Sequence, residues 1–447
     1  MATNVYPSST RQRRFVVAST LAGATIEWYD FFIFGVISAL FLNKLFFPTF
    51  DSATGTFLGF MTFSTAWLAR PIGGVIAGHL GDRIGRKTTL LWSLAIMGAA
   101  TVMIGLLPTY ETAGSVGAML LVLLRIVQGL SAGAEYGGAV VTVVEHAEQS
   151  KRGFYGSVPQ VGAMLGLLIG NGTFYLITKL DHAPLMAWGW RVPFLASAVM
   201  LVVGVAIRGR MAESPDFVKA RAEGTTERQP MLALLRHYPR QLISVLLAQA
   251  APNTFFWMCA VFMVSYAVKT LGISQTGMLG VVCVGAAVEV CTLPLFGMLA
   301  DRVGRRKVFI GGLIFLAIIA FPFFAVLQTK DLLWIAIGYA ALLGIGHSAT
   351  FASQASLFAE MFPTAVRYSG LSASYQASGA IFAGPLPMIA TLLIASHGGA
   401  LWPFVTYTIL IAGVSLIAIL VGRPHHTLLP DGRAEHAGRS RHAGISF

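Results

Sequence analysis

The sequence contains one polar loop twice, and this repeat restricts the fold more than any other feature. GHLGDRIGRK occupies residues 78–87 and GMLADRVGRRK occupies residues 297–307, so Asp301 follows Asp82 by 219 residues. The chain is therefore a duplicated unit of nearly half its length. Such a duplication is typical of a membrane transporter built from two helical bundles.

Composition places most of the chain in lipid. Hydrophobic residues make up 55% of the sequence and charged residues 11%, whereas soluble domains contain about a quarter charged residues. Apolar stretches of the ~20 residues that a bilayer requires occur between polar breaks. They span residues 15–42, 55–80, 88–107, 115–145, 154–178, 190–208, 241–268, 277–299, 308–328, 332–359, 370–395 and 400–421. The predicted fold is an all-α membrane protein with twelve transmembrane helices in two pseudo-symmetric six-helix bundles.

Polar segments divide this chain. A long connection that carries both signs of charge and is punctuated by Pro215 and Pro230 separates the two halves. A tail rich in Gly, His and Arg follows the last apolar stretch. The predicted organisation is a tail over 1–14, a bundle over 15–208, a linker over 209–240, a bundle over 241–421 and a tail over 422–447.

The positions of the basic residues predict the orientation. The net charge of +12 could indicate a nucleic-acid partner. However, most Lys and Arg residues fall on one side of the predicted membrane, in the repeated loops, the linker and the tails. The positive-inside rule then predicts that both termini are cytoplasmic, in a bacterial inner membrane, and argues against nucleic-acid binding. Five basic residues fall on the opposite side: Lys44, Lys179, Arg191, Lys269 and Lys330.

Several function classes lack their sequence signals. No GxxxxGK[ST] loop occurs, which argues against ATP-driven transport. Cys259, Cys283 and Cys291 have no CxxC spacing and are interpreted as small buried hydrophobic residues. We therefore expect neither an enzyme nor a bound cofactor or metal, and we expect a monomer.

The repeated loops resemble the G-x-x-x-D-R-x-G-R-[RK] motif of the major facilitator superfamily, at both places where that superfamily carries it. Five further strings are similar to its metabolite:proton symporter family: IEWYDFFIFG, ARPIGG, RIVQGLSAGAEYGGA, WGWRVPF and FPTAVRYSG. That family includes permeases for 2-oxoglutarate, citrate, shikimate, aromatic carboxylates and proline or betaine. Its osmosensing members carry a coiled-coil tail, which the tail of this chain does not resemble. The resemblance implies that the first, fourth, seventh and tenth helices line a central cavity.

Acidic residues inside predicted helices are candidates for proton coupling, because an ionisable side chain in lipid is costly. Glu27 and Asp30 share a face of the first helix, and two neighbouring carboxylates disfavour each other's ionisation. Glu135 lies seven residues after Gln128 and so near the same face of the fourth helix. The alternative is that Asp30 pairs with a cation and only holds helices together.

Buried cations and polar groups are candidates for substrate binding. Arg125, with Gln128 on its face, can bind a carboxylate through two parallel hydrogen bonds or can hold Asp30 until a proton arrives. Arg70 either contacts substrate or neutralises an acidic group, and the neutralising role is the favoured interpretation. Glu289 is isolated in its helix, and its role stays open. In the second half the candidates are Gln249, Asn253 and Trp257, spaced by four, then His347 and Gln354.

Charged residues near the repeated loops are candidates for gating. A second pair of an acid and an arginine recurs 215 residues on, in EHAEQSKR and EMFPTAVR. We interpret Glu145 with Arg152, and Glu360 with Arg367, as salt bridges that close the inner gate. The loops contribute the remaining gating candidates: Asp82, Arg83, Arg86, Asp301, Arg302 and Arg305.

These observations predict a proton-coupled symporter that imports a small mono-, di- or tricarboxylate by rocking of two bundles. One alternative is a carrier of a zwitterionic solute such as proline or betaine, with an aromatic cage of Trp28, Tyr29, Phe256 and Trp257. Others are a drug/proton antiporter or a transport-inactive receptor. The buried arginines favour the first hypothesis.

Overall fold

The apolar stretches form long helices. The computed structural model describes residues 10–84, 86–133, 149–209, 230–363 and 366–422, and these are helices and their connections. The twelve long helices of the described residues are α1 Thr10–Leu40, α2 Ser52–Ile84, α3 Arg86–Leu106, α4 Ser115–Ala132, α5 Arg152–Ile177, α6 Val192–Gly209, α7 Pro239–Lys269, α8 Gln275–Val303, α9 Arg305–Gln328, α10 Leu332–Ala359, α11 Arg367–Ala395 and α12 Trp402–Val421.

Short helices connect the long ones. They are Leu42–Phe46, Tyr110–Ala113, Gln149–Lys151, His182–Ala187, Gly189–Arg191 and Pro230–His237. Of the long helices in the described ranges, eleven are long and apolar enough to cross a membrane. The other is α2, a 33-residue helix that carries Arg70 and many Ser, Thr and Gly residues. The predicted fold class is confirmed.

Glycines bring helices of the N-terminal bundle close together. Gly162, Gly166 and Gly170, spaced by four along α5, face α1. A Cβ atom on Gly166 would lie 2.8 Å from the backbone oxygen of Thr25 and from the backbone nitrogen of Tyr29, so a side chain does not fit there. Membrane helices associate through such small-residue faces, because lipid offers no hydrophobic driving force between helices.

The two bundles meet along pairs of long helices. α5 packs against α8, α2 against α11, and α1 against α7. The end of α2, the start of α3 and the turn between α8 and α9 lie at one end of the described structure, and we call this the motif end. The other end, where α7 and α11 finish, is the far end.

Three long helices of the C-terminal bundle contain a π-helical turn. These turns are Met258–Phe262 in α7, Leu342–His347 in α10 and Gly379–Ala383 in α11. A π-turn inserts one residue into the helical repeat and re-aims the side chains beside it, and such turns are frequent at functional sites. Trp257 directly precedes the first turn, and His347 ends the second.

Candidate functional site

A small cavity with room for about one water molecule lies between the bundles. Five helices contribute to its wall, α1, α5, α7, α10 and α11. Its lining residues are Trp28, Phe32, Ala163, Met164, Gln249, Asn253, Phe256, Trp257, His347, Phe351 and Tyr375. Among these described lining residues, none is Arg or Lys.

Aromatic rings form most of the cavity wall. Trp257 on α7 lies 6.3 Å from Trp28 and 5.5 Å from Phe32, ring centre to ring centre, so α7 and α1 meet through their rings. Phe256 lies 5.6 Å from Phe32. Flat rings on two sides suit a small molecule with a planar or apolar body.

Polar groups on α7 face the same cavity. Gln249 is 1% exposed, and its side-chain oxygen has no hydrogen-bond partner among the described residues. Asn253, one helical turn further, donates to the hydroxyl of Ser378 at 3.2 Å. A buried acceptor without a partner is costly. Gln249 is therefore positioned to bind a polar group of a molecule in the cavity.

His347 and Glu289 form a buried contact at the cavity wall. The His347 Nδ1 atom lies 2.5 Å from Glu289 Oε1, although the residues belong to different helices, α10 and α8. The imidazole is stacked between Phe256 and Phe351, whose ring centres lie 5.0 and 4.8 Å away. Glu289 is buried, as the sequence indicates, but it is not isolated, because α10 supplies its partner.

Asp30 lies inside the N-terminal bundle. Its two carboxylate oxygens accept hydrogen bonds from Thr101 on α3 and Ser197 on α6, both at 2.8 Å. Gln128 donates to the Thr101 hydroxyl at 2.6 Å, and Arg125 donates to the Gln128 oxygen at 2.7 Å. Asp30 and Arg125 are thus joined by a chain of hydrogen bonds through two neutral side chains.

Arg125 is fully buried within the N-terminal bundle and is not a cavity-lining residue. Its guanidinium also donates to the Phe63 carbonyl at 3.2 Å and lies 3.8 Å from the ring centre of Phe34. The sequence predicts that Arg125 faces the cavity, whereas the structure places its side chain inside the N-terminal bundle. Helical spacing shows which residues share a face of α4, but not what that face packs against.

Glu27 and Asp30 have different neighbours, despite sharing a helix face. A guanidinium nitrogen of Arg70 lies 3.6 Å from Glu27. The same guanidinium lies 4.0 Å from the ring centre of Phe31 and 4.4 Å from that of Trp67. Arg70 therefore neutralises an acid behind the aromatic wall, which is the reading that the sequence favoured.

Other expected site residues divide between the cavity and its surroundings. Trp28, Phe256 and Trp257 of the expected aromatic cage line the cavity, whereas the Tyr29 hydroxyl donates to the Pro193 carbonyl at 2.9 Å. Gln354 is buried on α10 outside the lining set. Five lining residues were not identified from the sequence: Phe32, Ala163, Met164, Phe351 and Tyr375. Tyr375 carried no signal, since α11 was not expected to line the cavity.

The bundles are joined at the motif end. The Asp301 carboxylate on α8 accepts hydrogen bonds from the backbone N–H groups of Gly153 and Phe154, at 2.7 and 2.9 Å, at the start of α5. Arg305 bonds both Asp301, at 3.3 Å, and Glu360. A negative charge thereby meets the positive end of a helix dipole across the bundle interface.

Glu360 has a partner at this end that the sequence did not indicate. Glu360 pairs with Arg305, while Arg367 donates from Nε to the Ala359 carbonyl at 2.9 Å. Arg305 belongs to a neighbouring helix, so proximity along the chain does not indicate its contact with Glu360. The latch pairs of Glu145 with Arg152 and of Glu360 with Arg367 stay a prediction. Arg152 lies at the start of α5, and Arg302 is exposed. Glu135, Glu145 and the side chains of Asp82, Arg83 and Arg86 lie outside the described part of the structure.

The bundles are also joined at the far end. Lys269 at the end of α7 donates to the Thr56 hydroxyl of α2 at 2.8 Å. The Thr276 hydroxyl of α8 lies 3.1 Å from that of Thr178, just after α5. Contacts between the bundles therefore flank the cavity at both ends.

Comparisons with known proteins agree with this architecture. The family model described as Major Facilitator Superfamily matches residues 20–384 and 254–444. The shikimate transporter of Escherichia coli is 36% identical over 395 residues, covering 88% of this chain and 90% of that protein. The proline/betaine transporter of Escherichia coli is 33% identical and covers 91% of this chain and 82% of that protein.

A solved structure shows the same fold. The partially occluded inward open conformation of the xylose transporter XylE from E. coli matches with a TM-score of 0.71. The match covers 92% of this chain and 97% of that one, at 19% identity.

Proposed function

We propose that this chain, which belongs to the Major Facilitator Superfamily, is a proton-coupled symporter that imports a small organic anion by alternating access. The chain is a multi-pass membrane transporter and not an enzyme. The proposal rests chiefly on the cavity between the bundles, which is flanked at both ends by contacts that join them. Breaking one set of contacts at a time would open the cavity to one side of the membrane.

The basic residues support an orientation. We propose that the motif end is cytoplasmic, because most Lys and Arg residues lie in the repeated loops, the linker and the tails, on one side of the predicted membrane. The far end would then face the periplasm of a bacterial inner membrane. Since one chain encloses its own cavity, we propose that the monomer is the transport unit.

Asp30 is the proposed proton-coupling residue. Two neutral hydroxyls and a hydrogen-bonded chain to Arg125 hold its carboxylate in a buried position. Protonation would remove the charge that this network stabilises. Because α1 also carries the cavity residues Trp28 and Phe32, a rearrangement around Asp30 can reach the substrate through one helix.

The likeness to a shikimate transporter supports a carboxylate as substrate. We propose that Gln249, Asn253 and Tyr375 bind its oxygen atoms, while Trp28 and Trp257 pack against its body. Arg125 is assigned to holding Asp30, because its hydrogen bonds lie inside the N-terminal bundle.

A second candidate function follows from the cavity wall. Its described lining has rings but no Arg or Lys, which suits the cationic group of a zwitterion such as proline or betaine. The 33% identity to a proline/betaine transporter supports this alternative.

Uptake into proteoliposomes distinguishes the two candidates. Labelled shikimate, citrate, 2-oxoglutarate, proline and betaine would be offered with and without an inward proton gradient. We expect gradient-driven accumulation of a carboxylate by the native protein. Accumulation of proline or betaine alone would select the second candidate. Accumulation that is independent of the proton gradient would contradict proton coupling.

A further inference from the structure

Another buried acid lies in the C-terminal bundle, whereas the network around Asp30 belongs to the N-terminal bundle. Glu289 and His347 are in contact at 2.5 Å, and their side chains are 0% and 2% exposed. Burying ionisable groups at membrane depth is costly, so such pairs mark functional sites. We propose that Glu289 and His347 together form a second proton-binding site, whose charge sets the affinity of the cavity for an anion. The link to an anion rests on the function proposed above.

The position of the pair supports this role. His347 lines the cavity, whereas Glu289 lies behind it on α8. A proton on the pair therefore acts directly at the substrate site, without transmission through a helix. The second carboxylate oxygen of Glu289 has no hydrogen-bond partner among the described residues, so it can take up a proton without breaking another bond.

The other ionisable side chains described around the pair are a thiol and two phenols. On α7, the buried Cys259 thiol interacts electrostatically with Glu289. Tyr339 donates to the Cys259 carbonyl at 3.0 Å, and Tyr375 lines the cavity from α11. Thiol and phenol groups are neutral near pH 7 in water. From α1, the apolar side chain of Phe32 lines the same cavity as His347. From α9, Leu316 packs at Gly346, the residue before His347.

The charge of the pair follows from its protons. With one proton the pair is neutral overall, either as Glu⁻ with HisH⁺ or as two neutral groups. With a second proton it carries one positive charge, next to the cavity. The rings of Phe256 and Phe351 stack against the imidazole, which lies at the cavity wall. A carboxylate would therefore bind together with a proton, and by linkage each would raise the affinity for the other.

Infrared difference spectroscopy tests the proton site without any substrate. The native protein, with ¹³C-labelled glutamate, would be compared at acidic and alkaline pH in lipid nanodiscs. We expect the native protein to show the band of a buried carboxylic acid, and we expect Glu289→Gln to lose this band. In His347→Asn the band should shift, because the asparagine amide stays near the Nδ1 position but cannot titrate. Thr292→Val is the matched control, because it removes a hydrogen bond to Ser348 between the same two helices; the band should be unchanged.

The native spectrum alone can overturn the inference. If no labelled carboxylic-acid band changes over the pH range in which transport occurs, Glu289 and His347 form a permanent ion pair with a structural role. Retention of the band in Glu289→Gln has the same meaning. Neither spectroscopic result depends on which substrate is carried. Either one would therefore contradict the proton site without contradicting the proposed function.

Transport stoichiometry tests the link to an anion. The affinity for labelled shikimate should change about tenfold per pH unit for each coupled proton. We expect Glu289→Gln to lower the number of protons carried per shikimate by one, whereas Thr292→Val should leave it unchanged. An unchanged proton number in a folded Glu289→Gln protein would contradict the link. Absence of uptake by the native protein would instead contradict the proposed function.

Discussion

Asp301 joins the two bundles at the motif end, so its removal should open the cavity at that end. Its carboxylate is 9% exposed and accepts the N–H groups of Gly153 and Phe154 from the other bundle. Asp301→Asn keeps the shape and one acceptor oxygen, but removes the charge and one of the two bonds. We predict that this variant shifts the protein towards the conformation open at the motif end.

The size of the shift follows from these contacts. A hydrogen bond to a charged group contributes about 1.5 to 3 kcal/mol. Because 1.4 kcal/mol corresponds to a factor of ten, the open population should rise about 10- to 150-fold. Gly153→Ala should act in the same direction, since its Cβ atom would lie 2.6 Å from the Gly297 carbonyl oxygen.

Cysteine labelling measures this population. In a background without native cysteines, Met164→Cys places a thiol in the cavity wall. A membrane-impermeant maleimide applied from the motif end of oriented vesicles should label it faster in Asp301→Asn, by the predicted factor. Asp331→Asn is the matched control, because Asp331 accepts the Leu333 N–H at 2.8 Å at a helix start within one bundle. An unchanged rate in Asp301→Asn, or an equal rise in the control, would refute this reasoning.

Three other perturbations have defined outcomes. Asp30→Asn should abolish gradient-driven accumulation but keep substrate exchange, measured by counterflow; full accumulation would contradict its role, and Asp331→Asn, the same substitution at a helix start outside this network, is the control. Arg125→Ala leaves the buried network without its cation and should lower the free energy of unfolding by about 3 to 5 kcal/mol, measured as a lower melting temperature. An unchanged melting temperature would argue against the network. Lys269→Gln weakens a contact between the bundles at the far end and should speed labelling of Met164→Cys from that side; an unchanged rate would argue against a far-end latch.

The fold follows from the sequence because lipid imposes simple rules. A helix must satisfy its own backbone groups and span the bilayer, so hydropathy locates it directly. The stretch predicted at 88–107 forms α3, Arg86–Leu106, and the stretch predicted at 277–299 lies within α8, Gln275–Val303. The repeated loops then fix how many bundles there are, which hydropathy alone does not.

The site is harder to predict from the sequence than the fold. Helical periodicity shows which residues share a face, but it does not show what that face packs against. Gln249, Asn253 and Trp257 were selected by their spacing on α7, and all three line the cavity. The same reasoning selected Arg125, which is buried inside its own bundle. The contact of Glu289 with His347 joins residues 58 positions apart, which no local pattern shows.

α1 connects the two kinds of site in this protein. Within two turns it carries Glu27 and Asp30, which bond to groups inside the N-terminal bundle, and Trp28 and Phe32, which line the cavity. Side chains of successive residues on a helix point in different directions, so one rotation of α1 must move both sets. The proposed proton site at Asp30 and the proposed substrate contact at Trp28 would therefore act on the same helix.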